Sequence, residues 1–111
     1  MTKIEENKLF DLVFMKNGEA NQRRIAIEEC SELIKALCKY DRYFADEDVD
    51  KRILRLNIIE EMADVEIMID QLKLMFDHNN DFEQAKESKL KRLAKRIGVD
   101  WYGITERPRL S

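Results

Sequence analysis

Residues 27–40 read IEECSELIKALCKY, and the alternation of charged and apolar residues in this stretch predicts an amphipathic helix. Glu29 and Glu32 lie one helical turn apart, on the side opposite the predicted core face. That predicted core face consists of Ile27, Cys30, Ile34, Leu37 and Cys38. The stretch therefore raises the question of what two aligned carboxylates do on a helix that also buries an apolar stripe.

The composition favours long helices. The chain has 111 residues, of which 44% are hydrophobic and 39% charged, with only three glycines and one proline. This balance is typical of an all-α domain, and the length is that of one domain, residues 1–111. The formal net charge of −3 provides no overall positive field, so a nucleic-acid polymer is not an expected partner.

Cysteine usage and hydropathy bear on the compartment. Cys30 and Cys38 stand eight residues apart on one predicted helix, about 12 Å along its axis, which is too far for a disulfide between them. No run approaches the roughly 20 apolar residues that a membrane-spanning helix needs. We therefore expect a soluble, cytoplasmic protein with no membrane partner.

Hydrophobic periodicity and turn residues divide the chain into four predicted helices and a tail. The pair Asn17-Gly18 predicts the first helix end, and Asn80 or Asp81 predicts the cap of the fourth helix. Residues 98–111 lack a helical period and are expected to form a non-helical tail. The predicted helices cover about residues 4–15, 19–40, 49–76 and 80–97.

The third predicted helix carries a second acidic pair, Glu61 and Asp64, which falls between two apolar strips. A carboxylate buried without a partner is disfavoured by several kcal/mol. If this pair meets Glu29 and Glu32 across a helix interface, a divalent cation is the simplest compensation, and ligation by oxygen alone favours Mg²⁺ or Mn²⁺ over zinc. The alternative is that these are ordinary solvated helix residues. A di-iron bundle is disfavoured, because His78, the only histidine, belongs to no Glu-x-x-His pair.

The acidic pairs also carry a family resemblance. The segment EECSEL, followed 28 residues after Glu32 by EEMADV, resembles the ExxE and ExxD signature of the MazG-like nucleoside triphosphate pyrophosphohydrolases, members of the all-α NTP pyrophosphatase superfamily. The segments NGEANQRRIAIEECSELIKALCKY, NIIEEMADVEIMIDQL and ESKLKRLAKRI are similar to family segments in their usual order. The resemblance covers about residues 17–97.

The resemblance implies a four-helix-bundle-type MazG-like fold and an activity. A Mg²⁺-dependent enzyme of this family cleaves a nucleoside triphosphate between its α and β phosphates, giving the monophosphate and pyrophosphate, with Mn²⁺ as a substitute ion. Carried over by position, the metal ligands and catalytic carboxylates are Glu29, Glu32, Glu61 and Asp64. One of them, Glu29 or Glu32, is expected to accept a proton from the attacking water.

Substrate contacts are expected from three further positions. Lys89 and Arg92 match basic positions of the family and could hold phosphate oxygens, but cations near a helix C-terminus are also favoured by the helix dipole alone. Gln22 lies two turns before Glu29 on the same side and matches a family glutamine. It is expected either to contact the nucleotide or to bridge helices.

The predicted helices present more apolar surface than one chain of this size can cover. We therefore expect the core to be completed in a homodimer or a dimer of dimers. Two alternatives to the pyrophosphohydrolase remain open. One is a non-catalytic helical interaction or regulatory protein with the same bundle, and the other is a superfamily relative that acts on dCTP, dUTP or phosphoribosyl-ATP.

Overall fold

The computed structural model describes residues 1–105 and contains helices only within that range, which confirms the predicted all-α class. Internal contacts divide the chain into two units, one of residues 1–76 and one that begins at Asp77. The expectation of a single domain over residues 1–111 stays a prediction. None of the helices in residues 1–105 is both long and apolar enough to span a bilayer. The helices are α1 (Lys3–Asn17), α2 (Glu19–Tyr43), α3 (Lys51–Phe76), α4 (Asp81–Arg96) and α5 (Trp101–Thr105).

The first unit is built on the pairing of α2 with α3. Gln22, near the start of α2, donates a hydrogen bond to Gln71, near the end of α3, so the two helices run antiparallel. Buried and half-buried residues recur at alternating spacings of four and three on both helices, which is the period of a coiled-coil seam. On α2 the seam positions are Gln22, Ala26, Glu29, Leu33, Ala36 and Tyr40. On α3 they are Leu54, Ile58, Glu61, Val65, Met68, Leu72 and Met75.

The predicted core face of α2 was wrong. Ile27 is 70% exposed and Ile34 is 61% exposed, and Cys30 and Cys38 are exposed as well. α2 turns its alanine-containing side toward α3 instead, because Ala26 and Ala36 allow two helix backbones to approach closely. A helix with apolar residues on two sides needs two partners, and α3 covers only one of those sides.

The third helix departs from its prediction only in part. The interval that contains Glu61 was expected to be a polar gap between two apolar strips, yet this interval faces α2 and includes the buried Met68 and Met75. The first predicted strip contributes Leu54, Ile58, Val65 and Leu72 to the seam, whereas its other members Met62, Ile69 and Phe76 are exposed. The second predicted strip, which consists of Leu56, Ala63, Ile67 and Leu74, is exposed. The carboxylate of Glu61 therefore lies within the helix interface itself.

Periodicity predicts an apolar stripe on α1 of Leu9, Leu12 and Val13, with Ile4 as a further candidate, and of these only Val13 is half-buried. Phe10 is buried, whereas Leu9 and Leu12 of the expected stripe are exposed. Lys3 forms an ion pair of 3.4 Å with Asp70 of α3. The predicted break at Asn17-Gly18 is confirmed, since Gly18 adopts a φ of +84° between α1 and α2.

The second unit begins with a capping arrangement that differs from the predicted one. Asn80 occupies the N-cap position of α4 but makes no side-chain cap bond. The side chain of Asp77 accepts hydrogen bonds from the backbone N–H groups of Asp81 (2.7 Å) and Phe82 (3.2 Å). It therefore satisfies two of the unpaired donors of the first turn. Gly98, with a φ of +77°, follows the end of α4 as predicted.

The prediction of a non-helical tail over residues 98–111 is wrong for Trp101–Thr105, which form α5. The side chain of Asp100 accepts a hydrogen bond of 3.1 Å from the N–H of Tyr102, as an N-cap residue does. The Thr105 hydroxyl donates to the Trp101 carbonyl and closes the turn. Residues 106–111 lie outside the described residues.

The Gln22–Gln71 pair generates a test of the helix register. Both side chains are almost completely buried, with 3% and 4% exposed, so Gln22→Leu leaves the Gln71 amide without its partner. We expect the free energy of unfolding in urea to fall by about 1–3 kcal/mol, whereas Gln22→Leu with Gln71→Leu recovers most of that loss. Gln84→Leu, at an exposed position of α4, serves as the control. A double variant as unstable as the sum of its single variants would contradict this pairing.

Candidate metal centre

Three carboxylates from two helices converge at the α2–α3 seam. Glu29 and Glu61 occupy seam positions, and Asp64 follows Glu61 by one turn at the exposed edge of the interface. One oxygen from each of the three side chains lies within 4.8 Å of the others. The antiparallel register is what brings together residues that are more than thirty positions apart in the sequence.

The cluster is electrostatically uncompensated within the described residues. Oε2 of Glu61 is buried, and no group in residues 1–105 forms a hydrogen bond with it. Burial raises the pKa of Glu29 above its ordinary value of 4.5. The charge of Asp64, a side-chain hydrogen bond with Asp64 and the charges of Glu61 and Glu32 act in the same direction. A neighbouring cation would relieve both the repulsion and the unpaired oxygen.

The structure brings together three of the four predicted ligands. Glu32 does not belong to the three-carboxylate group. Its side chain is exposed and accepts a hydrogen bond of 3.3 Å from the ammonium group of Lys35, one turn along α2. The two side chains thereby form an ion pair. Glu32 is nevertheless close enough for its charge to contribute to the raised pKa of Glu29. It therefore borders the cluster.

A cavity of about 330 Å³ opens beside Glu61 between α2 and α3. Its wall combines the acidic residues Glu32 and Glu61 with two lysines and one asparagine. The small side chain of Ala36 leaves the space open, and the buried Leu54 forms an apolar part of the wall. The lining residues are Glu32, Lys35, Ala36, Lys39, Leu54, Asn57 and Glu61.

Gln22 lies in the interior of the first unit. Its amide nitrogen donates to Oε1 of Gln71 at 2.8 Å, and its own oxygen accepts from the Asn17 side chain at 3.2 Å. Both ends of the amide are therefore occupied. This geometry matches the alternative in which Gln22 bridges helices, and its contact with a nucleotide stays a prediction.

Lys89 and Arg92 are exposed residues of α4, in the second unit. Lys89 borders an apolar depression of about 500 Å³ on that helix, together with Phe82 and Leu93. Their predicted contact with phosphate stays a prediction. The basic residues that line the cavity beside Glu61 are Lys35 and Lys39.

Sequence reasoning missed Lys35, Lys39 and Asn57 as neighbours of the acidic cluster. A signal for the two lysines was present, since they follow Glu32 by three and seven residues, which places them along the same edge of a helix. Asn57 precedes Glu61 by four residues in the same way. The alternating spacing of Gln22, Ala26 and Glu29 also indicated the seam.

The donor set fits a hard divalent cation. Mg²⁺ and Mn²⁺ prefer oxygen ligands, and oxygens held at about 2.1 Å from Mg²⁺ lie up to about 4 Å apart. The three carboxylates offer oxygens within 4.8 Å of one another, which is close to that geometry. One of them, Glu61, also carries a buried oxygen without a hydrogen-bond partner in the described residues. Small side-chain adjustments would complete it.

Comparison with known proteins gives no family assignment. No protein-family model, no curated protein and no solved structure matches this chain. The MazG-like interpretation therefore rests on the motif residues and on the three carboxylates that the helices bring together.

The raised pKa of Glu29 predicts a pH dependence of stability in the metal-free protein. The folded state holds a proton that the unfolded chain releases, so this contribution is complete below about pH 4.5 and is lost as the pH rises through the raised pKa. Glu29→Gln removes the titration but keeps an amide that can donate to Asp64. In EDTA, we expect the urea stability of Glu29→Gln relative to the unsubstituted protein to increase as the pH rises toward neutrality.

Glu66→Gln, at an exposed position of α3, is the matched control and should show no such trend. A difference between Glu29→Gln and the unsubstituted protein that stays constant across this pH range would contradict the raised pKa.

Proposed function

We propose that this chain is a Mg²⁺-dependent nucleotide pyrophosphohydrolase of the MazG-like type. It would cleave a nucleoside or deoxynucleoside triphosphate between the α and β phosphates and release the monophosphate and pyrophosphate. The expected ligands are Glu29, Glu61 and Asp64, with Glu32 beside them and Mn²⁺ as a substitute ion.

The observation that carries this proposal is the convergence of three carboxylates in a helix seam with an unpaired buried oxygen. Glu29 and Glu61 stand where a stable coiled coil would carry apolar residues, and their oxygens lie within 4.8 Å of each other and of Asp64. Stability alone does not account for this arrangement, since like charges held close together at a partly buried interface repel. Binding of a divalent cation and a polyphosphate does account for it.

The reaction requires water as the only co-reactant. The water oxygen forms a bond to the α phosphorus, and the bond from that phosphorus to the α–β bridging oxygen breaks. The electron pair of that bond leaves with pyrophosphate, and a carboxylate accepts the water proton. Glu29 or Glu32 is the expected proton acceptor. When bound, Mg²⁺ would neutralise and orient the phosphates.

Two other functions fit parts of the same structure. A superfamily relative specific for dCTP, dUTP or phosphoribosyl-ATP would use the same carboxylates with another base pocket. A non-catalytic helical interaction protein is supported by the extent of exposed apolar surface on α2 and α3. The unpaired oxygen of Glu61 favours a cation-binding enzyme over this last alternative.

We further propose that two copies of the chain associate through the uncovered face of α2, as a homodimer or within a dimer of dimers. This face carries Ile27, Cys30 and Ile34, and with Leu72 of α3 it borders an almost wholly apolar groove of about 560 Å³. Contiguous exposed apolar surface of this kind usually marks an interface. A second α2 helix is chemically suited to the groove, since it offers the same aliphatic side chains.

Light scattering tests the association. We expect a mass at least twice that of the 13.3 kDa chain, and Ile34→Lys should reduce it toward 13.3 kDa, because a lysine ammonium cannot be buried cheaply against the groove. Ala45→Lys introduces the same charge on the exposed α2–α3 loop and should leave the mass unchanged. A monomeric unsubstituted protein, or an Ile34→Lys variant of unchanged mass, would refute this interface.

Release of pyrophosphate from a panel of NTPs and dNTPs, with dCTP, dUTP and phosphoribosyl-ATP included, tests the activity. We expect release with Mg²⁺ or Mn²⁺ and none with EDTA. Glu61→Gln should lower kcat/KM by at least about a hundredfold, since loss of a residue that only supports a metal ligand already costs about 10- to 100-fold. Glu66→Gln on the same helix should retain activity. Absence of metal-dependent release from every compound would reject the enzyme and favour the interaction protein.

A further inference from the structure

The charge of the cavity beside Glu61 changes from negative to positive along α2. Glu32 and Glu61 lie at the acidic end, and Lys39 lies seven residues beyond Glu32, about 10 Å along the helix axis. Lys35 falls between them. A single cavity therefore offers carboxylates at one end and ammonium groups at the other.

The two lysines are not equivalent. Lys35 is engaged with Glu32 at 3.3 Å, which compensates part of its charge. Lys39 is exposed, and no carboxylate in residues 1–105 pairs with it. Its ammonium group is therefore available to an anion that enters the cavity.

The opposite wall supplies neutral polar and apolar groups. Asn57 of α3 lines the cavity, and its amide forms no hydrogen bond with residues 1–105. An amide nitrogen can donate to a phosphate oxygen without adding charge. Leu54 forms an apolar part of the same lining. An ammonium group and an amide that line one cavity can both donate hydrogen bonds to a phosphate group.

We propose that Lys39, assisted by Lys35 and Asn57, binds the two outer phosphates of the substrate, which become the pyrophosphate leaving group. This inference rests on the proposed function. The polyphosphate then lies along α2, with the α phosphate at Glu29, Glu61 and Asp64 and the outer phosphates toward the α2–α3 loop. Lys39 stabilises the negative charge that develops on pyrophosphate as the α–β bond breaks.

Calorimetric titration of inorganic pyrophosphate into the Mn²⁺-loaded protein tests this assignment without any turnover. Lys39→Met removes the charge but keeps much of the side-chain length, and we expect it to raise the Kd of pyrophosphate about tenfold, as loss of a charge-assisted hydrogen bond does. Lys39→Arg should bind pyrophosphate nearly as the unsubstituted protein does. Lys16→Met, at an exposed position of α1, is the control, and the Kd of Mn²⁺ alone should be the same in all four proteins.

The assignment is overturned if Lys39→Met binds pyrophosphate as tightly as the unsubstituted protein, or if no pyrophosphate binds at all. It is also overturned if the variant loses Mn²⁺ in parallel, since the lysine would then act only through the structure of the site. A different outcome would reject the proposed function and leave the assignment of Lys39 standing. Pyrophosphate binding that depends on Lys39, without release from any NTP, would reject the hydrolase and retain this anion site.

Discussion

The antiparallel seam between α2 and α3 is the interaction on which the rest of the structure depends. Its spacing of four and three makes two long helices pair along their length, and its antiparallel register sets Glu29 against Glu61 and Asp64. Two seam positions are thus occupied by carboxylates, which lowers the stability that an apolar seam of the same length would have. The protein tolerates this because Ala26, Leu33, Met68 and other apolar seam residues bury surface on either side.

Polar residues at seam positions also define the register. The hydrogen bond of 2.8 Å between Gln22 and Gln71 is buried, and any shift of one helix against the other would leave the Gln22 amide N–H and the Gln71 oxygen without their partner in the interior. Buried polar pairs of this kind are a known means of selecting one alignment among several apolar ones. The Gln22–Gln71 contact lies two turns before Glu29 on α2. By setting the register, it helps to set the distance from Glu29 to Glu61 and Asp64.

The helices and the breaks between them were largely predictable, because hydrophobic periodicity and turn residues are local features of the sequence. The acidic pairs were also predictable, since Glu61 stood out between apolar strips. The face that α2 presents to α3 was not, because this helix has apolar residues on two sides and periodicity does not say which side is covered first. Because of this ambiguity, Ile27 and Ile34 were predicted to lie in the core, whereas both are exposed. Glu32 lies outside the three-carboxylate group and pairs with Lys35, its i,i+3 neighbour on the same helix. The spacing of that pair was readable in the sequence, but the register that leaves Glu32 outside the group was not.

The central claim is that Glu29, Glu61 and Asp64 together hold a divalent cation. The most direct measurement is the thermal melting of the protein with Mn²⁺ and with EDTA, for the unsubstituted chain, Glu61→Gln and Glu66→Gln. A cation at a hundred times its Kd stabilises the folded state by about 2.7 kcal/mol, so Mn²⁺ should raise the Tm of the unsubstituted chain and of Glu66→Gln. In Glu61→Gln the rise should vanish while the helical circular dichroism is retained. An undiminished rise in Glu61→Gln would contradict the claim.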